Sequence, residues 1–272
     1  MVSREVISDG MWAILDKMLD IVGHGNDEDG GGGEGGGGGL PGDSFSKSHY
    51  IDVPHVQQLY NWDCGLACVS MILRTLGIGH GDIHQLAELC CTRSIWTVDL
   101  AYLLHRFSVK FSFLTVTLGA NPDFSAETFY MEQLDDDLGR VDRLFEKALE
   151  AGIHIKRRSI DGEEISALIS SGQYVAVALV NKIKLSQSWQ DVCGSGYYTR
   201  SSDYMGHYVV ICGYDADTNE FEIRDPASPG KYERVSMESL DEARKSFGTD
   251  EDILLVYLGE MNGKKLSPKL LV

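Results

Sequence analysis

Apolar positions along the chain fall into two regimes. From Cys64 to Leu76 they recur at 66, 69, 72, 73 and 76 and Gly77 follows as a stop, so the spacing predicts a buried helix. Asp82 with Gln85 three residues on reads as a capping box opening a second helix through Leu89. Thr97 opens a third, running to about Phe107. Val109 to Leu118 alternates like a strand, Asp137 to Ala151 has helical period and stops at Gly152, Ile153 to Arg157 reads as a strand and Glu163 to Ser170 as a short helix. The second half changes character. Tyr174 to Val180 and His207 to Cys212 are unbroken apolar, β-branched runs of the kind buried strands use. Asp217-Thr218-Asn219 turns the chain into a strand over Glu220–Arg224, and Pro226 to Gly230 is a second turn. A helix over Ser236–Ser246 and a strand over Ile253–Leu258 follow. Helices in the first half and antiparallel strands in the second predict an α+β fold with a cleft between lobes, occupying residues 49 to 260.

The first 48 residues break this pattern. Met11 to Val22 is amphipathic and predicts a short helix within residues 1–22 that docks on the body or touches a partner. Residues 23–48 hold 12 of the 30 glycines, and such a segment has almost no side chain to bury, so a flexible tether is expected. Residues 261–272 form a C-terminal tail. The formal charge of −17 argues against nucleic acid or an anionic membrane as partner, and makes a polyphosphate awkward without a local basic pocket or a divalent cation. No run approaches the ~20 apolar residues a bilayer span requires, and the start of the chain does not read as a secretory signal. Six cysteines in 272 residues are not a disulfide framework, so reduced thiols in the cytoplasm are expected.

One of those cysteines sits where chemistry is plausible. Cys64 opens the first predicted helix, where unpaired N–H groups and the helix dipole favour a thiolate. Gly65 lets a ligand approach the backbone, and the Gln58 amide lies six residues upstream. A cysteine nucleophile also needs a base and a group to orient that base. His207 begins a buried strand, and the following strand ends at Asp225-Pro226, so a hairpin brings the carboxylate beside the imidazole.

Gln58, Cys64-Gly65 and Ala67, then Gly206-His207-Tyr208-Val209-Val210, then Asp225-Pro226, resemble papain-like cysteine peptidases, most closely the double-glycine leader peptidases of bacteriocins. That resemblance implies Cys64 as nucleophile, His207 as base, Asp225 as orienter and Gln58 as oxyanion donor. A resemblance covering residues 50 to 260 is to the soluble plant guanylyl cyclases. It rests on Val53-Pro54-His55, the Trp62–Cys68, Ser94–Leu100, Gly119–Pro122, Gly206–Asp215 and Ile223–Ser228 segments, and Ser246–Glu251. It implies conversion of GTP to cyclic GMP and pyrophosphate with Mg²⁺ or Mn²⁺. The residues themselves show no strand-framed carboxylate pair of the sort that holds two metals over a triphosphate. A looser cyclase signature begins at Arg106-Phe107-Ser108-Val109 but meets Lys110 where Phe or Val belongs and Gly119 where a base belongs.

Other features read more simply. Cys64 and Cys68 with Cys90-Cys91 could make a thiolate zinc site, but no Cys-x-x-Cys pair supports it and core packing is expected. Glu132 to Asp137 reads as an acidic first turn and Lys156-Arg157-Arg158 as a solvated strand end. Trp189, Tyr197 and Tyr198 fall in a long polar loop over 181–206, where a substrate lid could sit. Three functions stand open: a guanylyl cyclase taking GTP, a thiol-dependent peptidase or amide hydrolase using Cys64, His207 and Asp225 without a cofactor, and a non-catalytic binding scaffold.

Overall fold

Ten consecutive residues of helix α1 (Cys64–Thr75), Cys64 to Leu73, are buried, so this helix runs through the interior. A helix that is apolar all round belongs in a core. Helix α2 (Ile83–Cys90) starts where the Asp82 carboxylate accepts the Gln85 N–H at 3.0 Å. The Gln85 amide reaches back to Gly81 N at 3.1 Å, one residue before the reciprocal partner a capping box uses. Helix α3 (Thr97–Arg106) is opened by Asp99, whose carboxylate takes the Trp96 N–H at 2.9 Å. The computed structural model describes residues 48–121, 123, 134–190, 204–230 and 232–259. Residues 1–47, Tyr197 and Tyr198, Cys193 and the tail 261–272 lie outside the described residues.

The sheet has eight strands: β1 (His49–Tyr50), β2 (Phe111–Thr115), β3 (Ile155–Arg157), β4 (Tyr174–Asn181), β5 (Gly206–Asp215), β6 (Glu220–Arg224), β7 (Glu233–Ser236) and β8 (Ile253–Tyr257). Their order is β3-β2-β8-β4-β5-β6-β7, with β1 paired to β5. All pairs are antiparallel except β2 with β3, which makes the sheet mixed. The strand expected over Val109–Leu118 is shorter, because Ser108 takes a left-handed conformation (φ 57°) and Thr115 turns its hydroxyl onto Thr117 O at 3.0 Å. Strands β1 and β7 escaped the periodicity argument; two and four residues are too few to show a period.

All eight residues of β4 are buried, and alternate side chains enter two cores. Val175, Val177 and Leu179 face α1 to α3 together with Val210 and Leu254. Ala176, Ala178 and Val180 face α5 (Gly162–Ser170), through Ile165 and Leu168, and α7 (Met237–Arg244), through Leu240. Helices therefore cover both faces of the sheet, and the segregation of helices to the first half is only partial. The remaining helices are α4 (Leu134–Ala148) and α6 (Lys182–Gln190). The expected polar loop over 181–206 thus begins as a helix: Asn181 Oδ1 accepts Ile183 N at 3.1 Å, and Leu185 buries itself in the second core.

The segments quoted for their family likeness now have physical roles. Arg140 on α4 bonds Asp99 at 2.6 Å and Asp137 at 3.0 Å, and Asp137 accepts the Trp96 indole N–H at 3.0 Å. This network ties α4 to the start of α3. Val53 O accepts Arg224 Nε at 3.0 Å and His55 Nε2 meets Asp225 O at 2.9 Å, so Val53-Pro54-His55 straps the end of β6.

Candidate active site

Antiparallel pairing of β4 and β5 sets His207 opposite Val180, and the β5–β6 hairpin sets Arg224 opposite Val210. Its tight turn uses Asn219 in the left-handed region (φ 56°). Asp225, the first residue past β6, then places Oδ1 2.6 Å from His207 Nε2. The same carboxylate accepts the Ala227 N–H at 2.7 Å, which fixes its orientation. On the other side, Cys64, the first residue of α1, lies near enough to the His207 ring to raise its pKa. With Nε2 given to Asp225, Nδ1 is the ring nitrogen left for the thiol. Three residues from two distant stretches of chain thus form one line: thiol, imidazole, carboxylate. Cys64 is 6% exposed and His207 3%, so the line is nearly withdrawn from water.

Burial alone would lower the pKa of His207, but its hydrogen bonds to Asp225 and Cys64 raise it to about 9. Burial would likewise raise Asp225, yet the His207 ring and the Ala227 N–H hold it below the ordinary carboxylate value. Both shifts favour the charged form of the pair, imidazolium and carboxylate. Burial pushes Cys68 well up, and takes Cys90 and Cys212 up to about 12, so these stay protonated and inert.

Gln58 is brought to the same place, its backbone N–H donating to Pro226 O at 2.9 Å. Its amide donates to Tyr60 O at 2.6 Å, while Oε1 is buried without a partner. That leaves one N–H of the Gln58 amide uncommitted. Asp63, buried beside Cys64, caps no helical N–H; its carboxylate accepts Leu59 N at 3.1 Å and Tyr60 N at 3.0 Å. This clamp fixes the loop before the thiol. A Cβ on Gly65 would lie 2.9 Å from Leu100 Cδ1 and 3.0 Å from the Tyr208 ring, so glycine there permits the close packing of α1 on β5.

The spacing that brings His207 to Asp225 is local, but the residues that support this region are not. Asp63, His55 and Arg224 stood inside quoted motifs, but nothing in their spacing says which backbone groups they bind. Also missed was a second carboxylate pair, Asp250 and Asp252, at the start of β8. Burial raises both pKa values, and Asp252 Oδ1 is buried without a partner. Among the described residues no group of three or more His, Cys, Asp or Glu is placed to hold a metal ion, so the thiolate zinc site is not formed by Cys64, Cys68, Cys90 and Cys91. Of the basic cluster, Arg158 pairs with Glu164 and Arg157 donates to Val116 O at 3.0 Å. A hollow of about 560 Å³ beside α4, lined by Leu118, Asp142, Phe145 and His154 among others, shares no residue with the Cys64 site. No helix among the described residues is long and apolar enough to cross a membrane.

The chain is an α+β protein in which the first residue of a buried helix lies near a paired imidazole and carboxylate. Solved structures similar to it include a C39-like peptidase from Bacillus anthracis (16% identity, 78% of this chain and 98% of that one, TM-score 0.40). Xylellain, a cysteine protease from Xylella fastidiosa, is another (13% identity, 79% and 86%, TM-score 0.39). The family model for guanylylate cyclases matches residues 53–256. Guanylyl cyclase 1 of Arabidopsis thaliana is 59% identical over 227 residues, 83% of this chain and 81% of its own. The chain belongs to the guanylylate cyclase family.

Proposed function

We propose that this protein converts GTP to 3′,5′-cyclic GMP and pyrophosphate, and does so in the cleft at Cys64, His207 and Asp225. The observation that supports the reaction is the 59% identity to Guanylyl cyclase 1. In this reading the ribose 3′-oxygen bonds to the α-phosphorus as the α–β phosphoanhydride bond breaks. Cys64 as thiolate takes the 3′-hydroxyl proton, and the His207 imidazolium, kept charged by Asp225, faces the departing pyrophosphate. Gln58 contributes its remaining amide N–H to a phosphate oxygen. The divalent cation expected of a cyclase does not fit the protein side chains here. Asp225 is committed to His207 and Ala227 N, and Asp63 to the loop N–H groups. No step is therefore assigned to a protein-held metal. The five described cysteines are free, which supports a reducing, cytoplasmic setting.

The test is cyclic GMP formation by purified protein at high GTP with Mg²⁺ or Mn²⁺. Product above a boiled control is expected, and its absence with both metals sinks the reading.

A second reading rests on the 2.6 Å His207–Asp225 contact with Cys64 near the same ring: thiol-dependent hydrolysis of a peptide or amide. It expects iodoacetamide at pH 6 to label Cys64 faster than a free thiol. A rate unchanged by His207→Ala would remove it.

A further inference from the structure

The loop that leads into Cys64 carries a feature the chemistry above does not use. Tyr60 and Trp62 lie parallel, with ring centroids 5.9 Å apart and planes 5° from each other. The Arg93 guanidinium sits 5.8 Å from the Trp62 centroid, a cation–π contact that backs the indole. Tyr60 is 56% exposed. An exposed aromatic pair is ordinarily free to change rotamer, but its backbone here is fixed from three sides. Asp63 grips the Tyr60 N–H at 3.0 Å, Gln58 grips the Tyr60 carbonyl at 2.6 Å, and the Gln58 N–H is tied to Pro226 O at 2.9 Å. The stacked pair therefore stands as a flat platform on tied-down backbone, two to four residues before the thiol.

We propose that Tyr60, supported by Trp62 and Arg93, is the stacking platform for the purine ring of a nucleotide whose ribose and phosphates reach Cys64 and His207. The proposal rests on the cyclase reading and deepens it. An apolar peptide side chain is held by a concave pocket that surrounds it. A planar base needs only an exposed π-face, and base–aromatic stacking is tolerant of which base is offered. The platform therefore supplies affinity for a purine without choosing guanine over adenine. Its pre-set geometry spares the ordering cost that a mobile side chain imposes on binding.

Equilibrium dialysis of the full chain against GTP, guanosine and inorganic tripolyphosphate tests this. Tyr60→Ala is expected to weaken GTP and guanosine about ten-fold or more, leaving tripolyphosphate unaffected, and Tyr60→Phe restores the binding. GTP held by Tyr60→Ala as tightly as by the wild type overturns the platform alone. A wild type that binds neither GTP nor guanosine overturns the cyclase reading with it. An aromatic peptide that binds through Tyr60 where guanosine does not overturns the choice of ligand.

Discussion

Asp225 and Asp252 are equally buried, each 7% exposed, and they behave oppositely. Asp225 faces the His207 ring and an amide N–H, and is held ionised. Asp252 lies beside another carboxylate, Asp250, and burial pushes it toward the neutral acid. Burial raises both carboxylates; at Asp225 a cationic partner and an amide N–H outweigh it, and at Asp252 it prevails. The His207–Asp225 pair therefore favours its charged form, whereas Asp252, just before β8, is pushed toward its neutral one.

The largest break in that comparison is Asp225→Ala, which strands the His207 cation in the interior. Removing one partner of a buried pair costs about 3–5 kcal/mol, read as a lowered midpoint in urea, and the faster alkylation of Cys64 at pH 6 is expected to vanish with it. The pair also defines a pH window. His207 has its pKa raised, so its contribution is complete below about 6.5 and is lost as pH rises through about 9. Asp225 has its pKa lowered, so its share is complete above the ordinary carboxylate value and fades as pH falls below it. Stability measured from pH 3 to 10 should therefore show a plateau that falls at both ends, and in Asp225→Ala both falls should shrink.

A smaller effect is expected from Gly65→Ala. Its methyl meets Leu100 and the Tyr208 ring at about the limit of contact, and such overpacking costs about 1–3 kcal/mol. Because the strain falls at the first turn of α1, Cys64 alkylation should slow more than Leu100→Ala slows it. The smallest effect is Asp252→Asn, within about 1 kcal/mol of the wild type near pH 4, since an amide resembles the neutral acid already there. A raised carboxyl pKa gives stability that is full below the unfolded value and lost as pH rises. The Asn variant should therefore gain on the wild type from pH 4 to 7, and an equal change at both pH values would show that Asp252 is ionised.

How much of this was legible depended on whether a residue's role is local. The period of Cys64–Thr75, the stop at Gly152 and the continuous run of β4 each report burial directly, and the structure follows them. His207 and Asp225 were legible because a hairpin joins their strands, so eighteen residues of separation fold into one contact. Asp63, His55 and Arg224 act on backbone groups of other segments, and no period encodes such partners. Helix α6 was hidden because Lys182–Gln190 is mostly polar; its helical state depends on the Asn181 cap and the burial of Leu185. Asp252 was obscured by the acidic run Asp250-Glu251-Asp252, which reads as solvated although Asp252 faces inward.

The central claim is that the thiol line and the cyclase reaction share one site. The direct measurement is cyclic GMP formation by Cys64→Ala beside the wild type, at matched GTP and Mn²⁺, with GTP affinity measured on both. The predicted result is loss of cyclic GMP with GTP still bound. Undiminished cyclic GMP from Cys64→Ala would contradict it and move the reaction to another part of the molecule.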